Sequence, residues 1–288
     1  MVSGITVNFK SADILRTSIS KISPYLDEVI IINHCEEEKK LLEQLTNSKI
    51  RIYTHPNRGY AKGCNLGAEK AKGDFLIFFN PDTIVMGDTV SLLIEDLKKG
   101  YDIAVPKFLN PDLSFQPSTR KFPQLKHLFV SRSSFLRFFY KNKKLENEYF
   151  GMELEKIDKP VLLKDRFPVG GFFAIKKSSF AELGGFDERF FLYFEDTDFF
   201  KRAIERGYTI VFDPRAKIVH YHGYSQSSIP LKSNFHKLKS FYLYGLKHEN
   251  RTPFLSVLAF ITVFYVAIIF FLDLFNLHIP EKRWSEGK

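Results

Sequence analysis

At 288 residues, 44% hydrophobic and 16% aromatic, the chain has enough apolar material for one large domain or two small ones, which excludes a disordered chain. A formal net charge of +9 beside 31 phenylalanines combines basicity with apolar surface, a mix that suits an anionic membrane or a phosphate-bearing ligand as well as nucleic acid. Cys35 and Cys64 stand far apart with no C-x-x-C pairing, so neither a disulfide framework nor a structural zinc site is indicated, and a reducing cytosol fits.

The opening "GITVNFK" is too short for a signal peptide and reads as a first strand, so the chain is expected to start inside its fold. Short apolar runs then alternate with helical stretches: a helix over 11–23, the strand "EVIIIN", a helix over 36–46, the strand "KIRIYTH", a helix over 60–72, the strand "DFLIFFN", a helix over 88–99 and the strand "DIAVP". That rhythm predicts a largely parallel sheet with helices on its faces. Asp88 suits the N-cap of the helix that Gly100 would end. Ligands of such sheets collect beyond the carboxyl ends of the strands, so Asn33, the loop from Asn57, and Asn80 to Asp82 should face one crevice.

From 113 to 145 the chain carries no acidic residue before Glu146 and mixes Arg and Lys with bulky aromatics, which fits either a phosphate or membrane contact or a solvated basic loop. The stretch from "PVGGFFAIKK" to "YTIVFD" reads strand, helix, loop, helix, strand. Everything to about residue 250 reads as one domain without internal repeats. Beyond it, 254–275 is apolar for close to the roughly 20 residues that span a bilayer, with Asp273 at its edge. Residues 276–288 form a short tail. Lys237, Lys239, Lys247 and Arg251 before the segment favour placing residues 1–250 in the cytoplasm, at the cell membrane.

Several segments hold groups suited to chemistry. "HPNRGYAKGCNLG" turns into a helix on glycines that admit a ligand to backbone amides at a helix N-terminus, though a plain strand-to-helix turn uses them equally. It is neither G-x-G-x-x-G nor G-x-x-x-x-G-K-[ST]. In "FFNPDT", Asp82 offers a hard cation an oxygen at a strand end and Asn80 a neutral one, while Asn-Pro-Asp is also good turn chemistry. "GGFDERFFLYFEDTDFF" clusters carboxylates among aromatics, where burial can raise one to a general base. Asp198 and Arg202 are four apart on the predicted helix 195–206 and are expected to pair. Glu195 and Asp196 open that helix, either as chemistry or as a plain helix start. "IVHYHGYS" puts His220 and His222 on one face of a strand, which suits a metal or simple packing.

In this order, "NRGYAKGCNLG", "FFNPDT", "GGFDERFFLYFEDTDFFKR" and "VHYHGYS" resemble the inverting family 2 glycosyltransferases of GT-A fold, and more closely their rhamnosyltransferase-like branch, over roughly residues 4 to 226. The resemblance implies an α/β fold with a mostly parallel, Rossmann-like sheet. It implies transfer from a nucleoside-diphosphate-sugar, such as dTDP-rhamnose or a UDP-sugar, to a saccharide or polyprenyl-linked acceptor in cell-surface polysaccharide synthesis. Asp82 would then hold Mg²⁺ or Mn²⁺, with His220 as a further metal contact, and Asp196 would be the base with Glu195 its neighbour. Val7, Asn8, Asn33, Asn57, Gly59, Tyr60, Gly63, Asn65 and Asn80 would lie against the donor. The family's Asp-Asn pair after the second strand is replaced here by Asn33 and His34, and the first acid of its D-x-D by Asn80.

A rival reading is a membrane-anchored nucleotide-sugar binding module without catalysis, which keeps Asp82 but has no use for Asp196. A nucleotidylyltransferase would need a glycine-rich basic signature where "NFKSADIL" stands. Nucleic-acid binding leaves the acidic cluster idle, so no nucleic-acid partner is expected.

Overall fold

The structure, a computed structural model, describes residues 1–124, 142–221 and 230–248. The first half of the chain forms β1 (Val2–Asn8), α1 (Ala12–Ile22), β2 (Glu28–Asn33), α2 (Lys39–Glu43), β3 (Ile50–Thr54), α3 (Tyr60–Lys70), β4 (Phe75–Phe79), β5 (Thr83–Met86), α4 (Thr89–Lys98) and β6 (Ile103–Leu109). The second half adds β7 (Phe115–Gln116), β8 (Thr119–Lys121), α5 (Lys143–Phe150), β9 (Val161–Leu162), β10 (Arg166–Pro168), β11 (Phe172–Lys176), α6 (Lys177–Glu182), α7 (Glu195–Glu205), β12 (Ile210–His220) and α8 (Pro230–His248).

The central sheet runs β3-β2-β1-β4-β11-β6-β12-β5. Its first part, β3-β2-β1-β4, is parallel as the alternating rhythm predicts. β2 is buried at every position because helices cover both faces, which is why it reads as a continuous apolar run. The sheet is mixed further on: β11 enters from Gly170–Gly171 at the carboxyl edge and lies antiparallel between β4 and β6. β5 also pairs antiparallel, with β12. A helix over 36–46 is cut short. A 3-10 turn over Glu36–Glu38 leads into α2, and Asn47 Oδ1 then accepts from the amides of Lys49 and Ile50 and starts β3.

Alternate residues of each strand face opposite layers. Ile77, Phe79 and Phe172 pack towards α1 and α4, with Leu15, Ile19 and Leu93. Phe78 and Phe173 point the other way into a phenylalanine cluster with Phe180, Phe186, Phe199 and Phe200, in which Phe78 and Phe173 stack at 4.9 Å between centroids. Each such ring contributes about 1.5–3 kcal/mol by burial, so this cluster fixes α6 and α7 on the sheet.

The carboxyl ends of β1, β2, β3, β4, β6 and β12 lie on one edge, with the start of β11. The apolar segment 254–275, the tail 276–288, most of the basic stretch 113–145, and His222 lie outside the described residues. Among the described residues no helix is long and apolar enough to cross a membrane.

Candidate active site

The strand-end acid stands where the sequence places it. Asp82 follows β4, and the pairing of Thr83 with His220 brings it beside the end of β12, where Tyr221 N donates to Asp82 O at 2.9 Å. Asp82 is buried, and its Oδ1 accepts no hydrogen bond among the described residues although His220 Nε2 lies 3.4 Å away. A buried carboxylate oxygen without a donor is costly unless a cation completes it. His220 is oriented from behind. Gln116 Nε2 donates to Asn110 Oδ1 at 2.9 Å and to His220 O at 3.1 Å, which turns Gln116 Oε1 towards His220 Nδ1 at 2.7 Å. An Nδ1–H donating there leaves the Nε2 lone pair facing Asp82, an arrangement suited to a metal ligand. Among the described residues no group of three or more His, Cys, Asp or Glu is placed to hold a metal ion. One carboxylate and one imidazole therefore fit a divalent cation that takes its other ligands from water and substrate phosphate.

The residues expected along the donor divide into different roles. Asn80 lies at the crevice, its Oδ1 accepting from Tyr60 OH at 3.0 Å and its amide donating to Gly171 O at 2.8 Å. Tyr60 N donates to Phe191 O at 2.8 Å, and burial pushes the Tyr60 hydroxyl well up, with Cys64, Glu195 and Asp196 adding to it. Gly59 has φ +103, and a Cβ there would meet Phe191 O at 2.6 Å, so this turn requires glycine. Asn57 is exposed and pins the turn by accepting from Gly59 N at 3.0 Å. Val7 is buried under α3, where Gly63 allows close helix–strand packing.

Asn8, Asn33 and Asn65 are committed elsewhere, which corrects the expectation that their side chains contact the donor. Asn8 and Asn33 are register partners on β1 and β2, so their side chains meet: Asn8 Nδ2 donates to Asn33 Oδ1 at 3.0 Å and to Glu38 Oε2 at 2.8 Å. Asn33 Nδ2 donates in turn to Cys35 O at 2.8 Å. Both side chains are fully buried and form the floor of the crevice. Asn65 clamps the loop after α6, donating to Phe186 O and accepting from Phe186 N, each at 2.9 Å. Glu38 also accepts from the amides of Ser11 and Ala12, at 3.2 and 3.3 Å. A carboxylate already fills the N-terminus of α1, so a ligand phosphate is directed away from it and towards Asp82.

The acidic pair is built differently. Tyr193 and Phe194 are both left-handed at φ 66, a conformation costing bulky residues about 1–2 kcal/mol each, and they turn the chain into α7 so that Glu195 and Asp196 open the helix. Asp196 Oδ2 accepts from Gly170 N at 2.9 Å, and its Oδ1 accepts from Thr197 N at 2.6 Å. A Cβ on Gly170 would lie 2.7 Å from Asp196 Cβ, so this approach also requires glycine. Burial raises the Asp196 carboxyl, with the Gly170 and Thr197 bonds and the Arg120 charge holding part of that rise back. Glu195 is buried with Oε2 accepting no hydrogen bond, and burial, with the Asp196 charge, pushes it well above the carboxylate range. It therefore keeps its proton at neutral pH, while Asp196 is only partly buried and open to the crevice. The predicted Asp198–Arg202 pair forms at 2.9 Å.

Asp82, Asn80, Gly171, Gly170 and Asp196 thus follow one another along the crevice, with Tyr60 reaching across from the glycine turn. The sequence pattern of glycosyl transferase family 2 matches residues 4–184, well over half of the chain. The chain belongs to that family and is a glycosyltransferase. A second pattern, the N-terminal domain of galactosyltransferase, matches residues 163–224 of this glycosyltransferase, the part holding Asp196 and His220. It is 27% identical to N-acetylglucosaminyl-diphospho-decaprenol L-rhamnosyltransferase of Mycobacterium tuberculosis, over 59% of this chain and 54% of that protein. It is also 27% identical to rhamnosyltransferase WbbL of Escherichia coli, over 75% of this chain and 91% of that protein. The chain spans about half the length of the mycobacterial relatives it matches. Solved structures of the same fold include GalNAc-T7 with UDP, GalNAc and Mn²⁺ (TM-score 0.56, 18% identity, 76% of this chain and 43% of that one). Another is mannosyltransferase PcManGT of Pyrobaculum calidifontis with GDP-Man and Mn²⁺ (TM-score 0.55, 15% identity, 90% and 68%). The expected GT-A α/β architecture is therefore present.

Sequence reasoning missed Gln116, Gly170, Arg120 and all of α8. Of these only Gly170 left a usable trace, the paired glycines of "PVGG" directly before an apolar run.

Proposed function

We propose that this glycosyltransferase moves a sugar, with inversion, from a nucleoside-diphosphate-sugar to a saccharide or polyprenyl-linked saccharide hydroxyl in cell-surface polysaccharide synthesis. The observation that carries the reading is the unpartnered, buried Asp82 Oδ1 facing His220 on the same crevice as the partly open Asp196. A Mg²⁺ or Mn²⁺ ion held by Asp82 and His220 would offset the charge of the departing diphosphate. Asn80 and Tyr60 line the path between, Asn8 and Asn33 carry the floor, and Glu38 keeps phosphate off α1. As the acceptor oxygen bonds to C1, the bond from C1 to the diphosphate oxygen breaks, the electron pair leaves with the diphosphate, and the acceptor proton goes to Asp196. Glu195, kept neutral beside it, adds no second negative charge to oppose the incoming hydroxyl's partner.

The relatives' names support a rhamnosyl donor and a lipid-diphosphate acceptor. In this reading residues 1–250 are the catalytic unit, facing the cytoplasm, and 254–275 is the membrane segment. Incubating the protein and Mg²⁺ with UDP-, dTDP- and GDP-sugars and a membrane lipid extract should release nucleoside diphosphate with one donor class. Binding of a donor without release from any of them would overturn the transfer reading. Deletion of 250–288 that left both membrane partitioning and activity on lipid-linked acceptor unchanged would overturn the membrane part.

A further inference from the structure

The contacts of α8 converge on the loop that carries the acidic pair. Phe191 stacks on His236 at 4.3 Å, Leu192 O accepts from Ser240 Oγ at 2.9 Å, and Lys237 lies over the Tyr193 ring at 5.4 Å. Phe194, the second left-handed residue, packs against Phe241 at 5.3 Å and Tyr244 at 5.6 Å, and Tyr244 is only 1% exposed. At the end of the helix Lys247 Nζ reaches Asp187 at 2.7 Å and Asp198 at 2.6 Å, and His248 Nε2 reaches Asp198 Oδ1 at 2.7 Å. Positions 236, 240, 244 and 247–248 fall three or four apart, on one helix face. Burial raises the Asp198 carboxyl, but the bonds from His248 and Lys247 and the Arg202 charge bring it below its ordinary value, so the paired charges are fully formed.

These contacts touch both sides of Glu195 and Asp196: Phe191 to Phe194 before them and Asp198 after. Two successive left-handed aromatic residues persist only where the surroundings over-determine them, and α8 supplies such surroundings. We propose that α8 is a positioning element for the acidic pair, holding the strained 191–194 turn so that Asp196 stands against Gly170 N. This rests on the reading of Asp196 as the base, but the brace itself can be tested apart from turnover. It also separates two steps that share the crevice, because α8 touches the base side and not the Asp82 side.

The test uses the full chain with Phe241→Ala and the conservative Phe241→Leu. In the Ala variant kcat should fall by at least about tenfold through misplacement of Asp196, with donor KM and calorimetric donor affinity within about twofold. Amide hydrogen exchange over 192–198 should quicken by at least about tenfold while β4 stays protected, and Phe241→Leu should recover most of both losses. Unchanged exchange over 192–198 in Phe241→Ala would overturn the brace whether or not any donor is turned over. Equal protection losses in β4 and in 192–198, or a proportional loss of donor binding, would make Phe241 a residue of general stability and overturn it as well. Absence of turnover in the unsubstituted protein would count against the transfer reading alone.

Discussion

The two halves of the crevice are built by opposite means. Asp82 and His220 stand on the ends of β4 and β12, joined by strand register, and the residues around them carry ordinary backbone angles. Glu195 and Asp196 stand on a turn with two consecutive left-handed aromatics, held by Gly170 on one side and α8 on the other. Metal and diphosphate binding ask for fixed ligands, which a sheet edge provides without strain. A base must meet acceptors that arrive and leave, and a turn held by packing can be set by a few contacts. The difference teaches that donor binding and proton transfer in this glycosyltransferase should be separable by substitution.

The sharpest separation is expected from Asp196→Asn. It keeps the shape beside Gly170 but removes the proton acceptor, so transfer should fall by about 10²–10⁴-fold. Donor affinity measured by calorimetry should stay within about twofold, since the Asp82 side is untouched. Retention of full transfer would remove Asp196 as the base. On the opposite side, Gln116→Leu leaves Asp82 and His220 in place but frees the His220 ring. Apparent affinity for the divalent ion should weaken by about 10–100-fold, with kcat at saturating metal close to that of the parent. A change in kcat without a change in metal dependence would join the two halves and break the comparison.

Much of this layout is legible in the sequence, and the gaps have physical causes. β2 and β4 are short apolar runs because both their faces are buried, and the acidic motif opens a helix because Phe199, Phe200 and Ala203 recur at helical spacing behind it. β11 was expected as a strand, but its antiparallel insertion between β4 and β6 depends on a long excursion that no local pattern records. Asn8 and Asn33 look like ligands in isolation. Only their register across β1 and β2 reveals that each satisfies the other. The left-handed turn at Tyr193 and Phe194 contradicts local preference and is imposed by packing from α8, some fifty residues away in sequence.

A finer cut through the comparison comes from the adjacent glycines 170 and 171, which face different halves. A Cβ at Gly170 would meet Asp196 Cβ at 2.7 Å, whereas one at Gly171 would meet Phe108 at 3.3 Å and Asn80 Nδ2 at 3.4 Å. Gly170→Ala should therefore lower kcat by about 10- to 100-fold through displacement of the base, with donor KM little changed. Gly171→Ala asks Asn80 to move by only a few tenths of an ångström, so its main effect should be a rise of a few-fold in donor KM. Identical profiles for the two variants in steady-state kinetics would contradict the division.

The smallest effect probes whether the strand-built half is indifferent to a charge buried beneath it. Asp96 of α4 is 1% exposed and shares a hydrogen bond with Asp213, where β12 is irregular on its way to His220. Burial and the neighbouring Asp213 charge raise the Asp96 carboxyl to about 6, and Arg215 pairs with Asp213 at 2.7 Å. The folded state therefore binds this proton more tightly than the unfolded chain, whose aspartate titrates near 3.9. The stabilisation is fully present below that value and is lost as pH rises through about 6. Asp213, shifted downwards, titrates below this window and does not contribute within it. Asp96→Asn mimics the protonated form at every pH. It should remove the decline in stability between about pH 4 and 6 and raise stability at pH 7 by about 1–2 kcal/mol in urea unfolding. Because the Asp82 and His220 positions follow from strand register, metal affinity should not change with it. A shift in metal affinity in this variant would mean that β12 transmits the strain of a buried carboxylate to its end, and that the sheet edge is no more rigid than the braced turn.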